Sequence, residues 1–154
     1  GYCLVASAQR RDMRLIAVVL GTDSDQARAR ETQKLLSYGF RNYETKRLYD
    51  SGAALKQQVR VWYGRSEALD LVVEEPVLLT FLRGSEKQLE AQVVVPTQLE
   101  APIQAGQKLG SLRITLHGEL LLERDLVADR KIEQGSLFKR FKDWLTLFFS
   151  RLFS

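Results

Sequence analysis

From about residue 46 onward, apolar residues recur at every second position in one short run after another. Val59, Val61 and Tyr63 alternate with Gln58, Arg60 and Trp62, and Leu69, Leu71 and Val73 alternate with Asp70 and Glu74. Leu89, Ala91, Val93 and Val95 alternate with Gln88, Glu90 and Gln92, and Leu112, Ile114 and Leu116 alternate with Arg113, Thr115 and His117. Val77, Leu79 and Phe81 and the run ELLLERDLVA complete the set. Successive side chains of a strand point to opposite faces, so alternation of this kind implies one dry and one wet face per strand. The segments YGRSE, EEP, RGSEK, VPTQLEAP, QAGQ and HGE fall between the runs and carry turn-forming residues. Six or seven short strands at this spacing predict a small antiparallel β-sandwich.

The first 45 residues follow a different rule. Two apolar runs, GYCLVASA and MRLIAVVLG, flank the polar QRRD and predict neighbouring strands joined by a tight turn. The second run is almost entirely apolar, as for a strand covered on both faces. Asp23, Ser24 and Asp25 are N-cap candidates for a helix over 25–38, with Arg28, Glu31 and Lys34 spaced for pairing and Gly39 as C-cap. Ala27, Leu35 and Leu36 are expected to face inward. The expected organisation is therefore an α/β remnant of two strands and a helix over 1–45, a β-rich unit over 46–134, with the break near NYETKRLYD, and a tail over 135–154. Two strands and one helix bury too little surface to stand alone, so the remnant is expected to need sheet partners upstream. The first residue is Gly, which fits a processed or truncated piece, and no signal peptide is read.

Charge is uneven along the chain. Residues 1–45 hold seven basic and five acidic side chains, residues 46–134 hold twelve and thirteen, and residues 135–154 hold four and one. The β unit is thus near neutral, which argues against a nucleic-acid partner, and positive charge is densest in the tail. That tail, GSLFKRFKDWLTLFFSRLFS, becomes two-faced on a helix at 100° per residue. Leu137, Phe138, Phe141, Trp144, Leu145, Phe148, Phe149, Leu152 and Phe153 fall in one half-circle. Lys139, Asp143, Thr146, Ser150 and Ser154 fall opposite, with Arg140, Lys142 and Arg151 near the edges and Leu147 the one apolar residue on the polar side. Ser136 is a cap candidate and Gly135 a hinge. Such a helix suits the lipid headgroup region, rings in the acyl boundary and edge cations at the phosphates. The predicted membrane-binding residues are Phe138, Phe141, Trp144, Leu145, Phe148, Phe149 and Leu152, with Lys139, Arg140, Lys142 and Arg151 setting lipid preference. Packing on the protein's own core and docking in a partner's groove are the competing uses of such a face. No run of about 18 apolar residues exists, so no transmembrane helix is predicted.

Little else carries chemistry. The single cysteine, Cys3, is expected to be core, and with His117 as the only histidine a Cys/His zinc site is excluded. Asp23 and Asp25 suit capping better than cation binding. Glu74 and Glu75, as neighbours on an extended chain, point to opposite faces and make a poor acid/base pair. His117 precedes Gly118 and is expected in a hairpin turn without a catalytic partner. Trp62 and Tyr63 could stack on a sugar, although one core and one rim residue is the expected arrangement. KRFKDW mixes bases and aromatics as single-strand binders do, but beside a neutral β unit it is not read as such.

The segments GYCLVASAQRRDMRLIAVVLG, ARETQKLLSYGF, VRVWYG, LEAPIQAGQKLGSLRI and LVADRKIEQGSLFKRF, in that order, resemble the C-terminal part of the low-molecular-mass penicillin-binding proteins of the penicillin-binding protein 5 type, the serine D-alanyl-D-alanine carboxypeptidases. The resemblance covers essentially the whole chain. It implies a transpeptidase-like domain upstream, then a β-rich stalk, then an amphipathic helix on the periplasmic face of the bacterial cytoplasmic membrane, as a peripheral anchor. It also implies an enzyme that removes the terminal D-Ala from peptidoglycan pentapeptides through an acyl-serine built on S-x-x-K, S-x-N and K-T-G motifs. None of these motifs is expected here, so no catalytic, cofactor or metal residue is assigned and the chain alone is expected to be inactive. The implied partners are an anionic membrane surface, stem peptides through the missing catalytic domain, and a cell-wall protein on the β unit. A non-enzymatic periplasmic adaptor is the alternative.

Overall fold

The computed structural model describes residues 1–152; the tail positions Phe153 and Ser154 lie outside the described residues. In chain order the elements are β1 (Tyr2–Arg10), β2 (Met13–Thr22), α1 (Asp25–Asn42), β3 (Tyr43–Tyr49), β4 (Ala54–Trp62), β5 (Ala68–Val72), β6 (Val77–Leu82), β7 (Leu89–Val94), β8 (Leu99–Glu100), β9 (Lys108–Leu116), β10 (Glu119–Ala128) and α2 (Leu137–Leu152). The chain is mainly β and ends in a helix. It divides into two compact units, one of Gly1–Leu48 with Leu78–Leu89, the other of Tyr49–Val77 with the residues from Glu90 onward.

In the first unit β1 and β2 form an antiparallel hairpin that turns at Arg11-Asp12, with Arg10 opposite Met13. Met13, Ala17 and Val19 are buried while Ile16, Val18 and Leu20 are exposed. Within residues 1–152, α1 packs against one face of this apolar strand, and the face carrying Ile16, Val18 and Leu20 is exposed. Cys3 is likewise exposed rather than core, because it belongs to a hairpin with a single covered face. Ser24 is the N-cap of α1, its hydroxyl accepting the Ala27 N–H at 3.1 Å. Lys34 pairs with Glu31 at 3.0 Å, whereas Arg28 turns back to Asp25.

The helix runs four residues further than expected, and Gly39 lies inside it. A Cβ at Gly39 would sit 2.4 Å from Leu15 Cδ1, so this glycine makes room for the strand and caps nothing. The exposed C-terminal carbonyls are met instead by Arg83, which donates from Nε to Arg41 O at 3.0 Å and from Nη2 to Phe40 O at 3.2 Å. A cation placed there also opposes the negative end of the helix dipole. Leu35 is 51 % exposed, while Thr32 and Phe40 supply the buried side chains of α1. The inward-facing stripe is thus shifted from the one expected. β3 and β6 pair in a separate two-stranded sheet.

The second unit holds a six-stranded sheet in the order β7-β9-β10-β5-β4-β8. β9 and β10, β10 and β5, and β5 and β4 pair antiparallel, whereas the short β8 lies parallel to β4. The alternation marks the buried face well in its centre: Leu69, Leu71, Leu112 and Leu126 are all at 0 % exposure. His117 and Gly118, at φ 52° and 81°, form the two-residue turn between β9 and β10, with Leu116 opposite Glu119. The alternation fails at one margin. β7 stands at the sheet edge with no buried residue, and Val94 is 46 % exposed, because nothing covers that end of the apolar face. β4 carries a register break between Lys56 and Val59, where Gln58 takes φ 53° and gives its N–H to Asp70 Oδ1 at 2.8 Å.

Because Leu112 is fully buried, Leu112→Ala is expected to lower unfolding free energy by roughly 2–5 kcal/mol. Val94→Ala at the open edge should change it by no more than about 0.5 kcal/mol. Urea denaturation of the two variants measures the difference.

Candidate functional site

Four residues spaced four apart along α2, namely Lys139, Asp143, Leu147 and Arg151, lie on one line of the helix surface. This line meets the rest of the second unit. Asp143 is 8 % exposed and its Oδ2 accepts the backbone N–H of Tyr63 at 2.9 Å. Lys139 Nζ reaches Glu67 Oε1 at 2.7 Å, and Arg151 Nη2 lies 3.5 Å from Gln98 Oε1. Leu147 is half-buried in the same row. Its place on the polar side of the helix, anomalous in the sequence, follows from that contact: it is the apolar residue that faces protein.

Tyr63 is the receiving point because β4 ends there. Its φ of 61° takes the chain out of the strand, so Tyr63 is not part of the alternation read for Val59 and Val61. Trp62 and Tyr63 are both half-buried, which corrects the division into one core and one rim residue. The Arg60 guanidinium lies 3.8 Å from the centre of the Trp62 ring. Gly135 is also not a loose hinge. Its N–H donates to Tyr63 O at 2.8 Å, and a Cβ there would come within 3.1 Å of Gly64 O. Gly64 also bridges to Gln134, and Arg65 N–H donates to Glu133 O at 2.8 Å. The strap before the helix is therefore fastened to the strap after β4, and glycine permits the close approach.

The opposite side of α2 is uncovered. Phe138, Phe141, Trp144, Leu145, Phe148, Phe149 and Leu152 range from 40 % exposure at Leu145 to 85 % at Phe138. Phe141, Trp144 and Phe148 stack in a row with ring centres 5.9 and 5.6 Å apart, and Phe149 meets Phe148 edge-on. Among the four cations assigned to this site, Lys139 and Arg151 thus turn toward protein. Arg140 and Lys142 are exposed and make no side-chain hydrogen bond or ion pair among the described residues. Sequence reasoning found the aromatic face but missed Asp143 as its counterpart; a single acid among the tail's bases was the available signal.

The expectation that the chain holds no S-x-x-K is corrected by Ser136-Leu137-Phe138-Lys139, which has that spacing. Its geometry is that of a helix start: Ser136 Oγ accepts the Lys139 N–H at 3.4 Å, and Lys139 Nζ is held by Glu67, not by the serine. S-x-N and K-T-G do not occur. His117 is exposed in its turn. Among the described residues no group of three His, Cys, Asp or Glu side chains could hold a metal ion.

The family model "Penicillin-binding protein 5, C-terminal domain" matches residues 43–134, more than half the chain, and the chain belongs to that family. Among curated relatives it is 38 % identical over 154 residues to D-alanyl-D-alanine carboxypeptidase DacC of Escherichia coli, covering 99 % of this chain and 38 % of the relative. It is 37 % identical to DacA of the same organism, with the same coverage. The crystal structure of penicillin-binding protein 5 from Haemophilus influenzae superposes with a TM-score of 0.78 at 31 % identity, over 87 % of this chain and 39 % of that one. DacD from Francisella tularensis gives 0.64 at 31 % identity, over 88 % and 34 %. The chain thus spans about two fifths of the length of its relatives.

Removal of the Asp143 carboxylate orphans the Tyr63 amide, at a cost on the order of 1–3 kcal/mol to helix docking. In Asp143→Ala the Tyr63 amide is expected to exchange with deuterium faster by one to two orders of magnitude, while amides of β9 keep their protection. The Glu67 carboxyl is held below its usual range, first by the hydrogen bond from Lys139 and then by that lysine's charge. A carboxylate with a lowered folded value contributes above its unfolded value, and the contribution disappears as pH falls through the lowered folded one. The Lys139–Glu67 pair should therefore persist through neutral and mildly acidic pH and open only below the ordinary carboxylate range, as followed by the Glu67 side-chain carbon shift in NMR.

Proposed function

We propose that this chain is the membrane-proximal portion of a serine-type D-alanyl-D-alanine carboxypeptidase, with the six-stranded sheet as stalk and α2 as anchor on the periplasmic face of the cytoplasmic membrane. In this reading the whole protein trims the terminal D-Ala from peptidoglycan pentapeptides, and its nucleophile and base lie outside residues 1–154. The relatives' names supply the activity. The single observation that carries the anchoring is that α2 docks through a polar line while its stacked rings face outward. A helix packed to complete its own core would do the reverse. No described helix is long and apolar enough to cross a membrane, which fits a peripheral attachment.

Transfer of large side chains to an apolar phase is worth about 1.5–3 kcal/mol each, and each basic residue at an anionic surface adds about 1 kcal/mol. Three or four rings with Arg140 and Lys142 are then enough for reversible binding. Phe141→Ser combined with Phe148→Ser and Phe149→Ser should reduce co-sedimentation with phosphatidylglycerol vesicles by at least a hundredfold while leaving the docked line intact. Binding by the unaltered chain should weaken as salt rises, because headgroup attraction is screened. Salt-insensitive retention on a protein partner, with no vesicle binding, would instead support the adaptor. The chain by itself should release no D-Ala from a pentapeptide.

A further inference from the structure

Beside the first turns of α2 the second unit holds a cleft of about 340 Å³, lined by Tyr63, Glu100, Ala101, Gln134, Arg140 and Trp144. Its position is unusual. Trp144 belongs to the outward-facing row of rings, and Arg140 is one helical turn before it. The cleft therefore opens at the margin of the aromatic face, where protein polar groups and exposed rings meet.

Its lining is chemically mixed and largely unpartnered. The Arg140 guanidinium, the Tyr63 hydroxyl and the Gln134 side-chain amide make no hydrogen bond among the described residues, although the Tyr63 and Arg140 backbone N–H groups do. Glu100 accepts one bond, from Gln98 Nε2 at 2.6 Å to Oε1, which leaves its second oxygen unused. A guanidinium with adjacent neutral donors matches a phosphodiester, whose two oxygens accept in parallel. The Glu100 carboxylate matches an ammonium through charge. A lone anion would gain the first set and be repelled by Glu100.

We infer that this cleft is a binding site for the headgroup of an ethanolamine phospholipid, with the phosphodiester on Arg140, Tyr63 and Gln134 and the ammonium on Glu100. The inference rests on the anchoring reading for its depth: with the rings of α2 in the acyl boundary, the cleft mouth stands at headgroup level. It adds recognition to attachment, since Arg140 then reads one class of lipid in addition to the surface charge.

The test uses the full chain and a short-chain phosphatidylethanolamine dissolved below its micelle concentration, followed by NMR of the Arg140 Nε–H and the Gln134 side-chain amide. Saturable shifts of both groups are expected, with at least fivefold weaker binding of the matched phosphatidylglycerol. Arg140→Gln should weaken the ethanolamine lipid at least tenfold. Glu100→Gln should erase the difference between the two headgroups. Absence of saturable shifts, or equal affinity for both headgroups in the unaltered chain, overturns the proposal. Because the dissolved lipid presents no bilayer, this titration can fail while vesicle sedimentation succeeds, and the reverse outcome removes the anchor without touching the cleft.

Discussion

One hydrogen bond, from the Tyr63 amide to the Asp143 carboxylate, decides which way the last helix faces. A helix with this many aromatic residues has a strong tendency to fold back onto any apolar surface available to it. The sheet nevertheless meets its polar line. A buried carboxylate needs donors, and in this unit the donor is the backbone at the end of β4, freed from the strand ladder by the left-handed turn of Tyr63. Lys139 on Glu67 and Leu147 in the same row add a second polar contact and an apolar one. With Asp143, Lys139 and Leu147 committed to protein, the helical repeat puts Phe141, Trp144 and Phe148 outward.

That arrangement also explains why the tail was only half legible in the sequence. The wheel separates aromatic from polar residues without ambiguity, because periodicity is a local property. It cannot say whether the polar residues face water or protein. Lys139 and Arg151 therefore looked equivalent to Arg140 and Lys142 as lipid-facing cations, although their partners Glu67 and Gln98 lie 72 and 53 residues earlier. Gly135 looked like a hinge for the same reason; only the nearness of Gly64 shows that the glycine serves close packing.

The rest of the fold divides along the same boundary. Leu69, Leu71, Val73, Leu112 and Ile114 alternate and are buried, because the centre of a sheet is covered whatever its edges do. Leu89 to Val95 alternate equally well, yet β7 is an edge strand and its valines stay in solvent. The first hairpin reads as a doubly covered strand and shows one bare face, with Ile16, Val18 and Leu20 outward. Periodicity reports what a strand is suited to; neighbours in space decide what it receives.

The fastening of Gln134 and Gly135 against Tyr63 and Gly64 has a mechanical corollary. A swivel at that point would let the sheet wander while the helix stayed in place. A bonded strap instead transmits torque, so any tilt of α2 is passed to the sheet as rotation. The joint behaves as a bracket rather than a tether, and sheet and helix turn together.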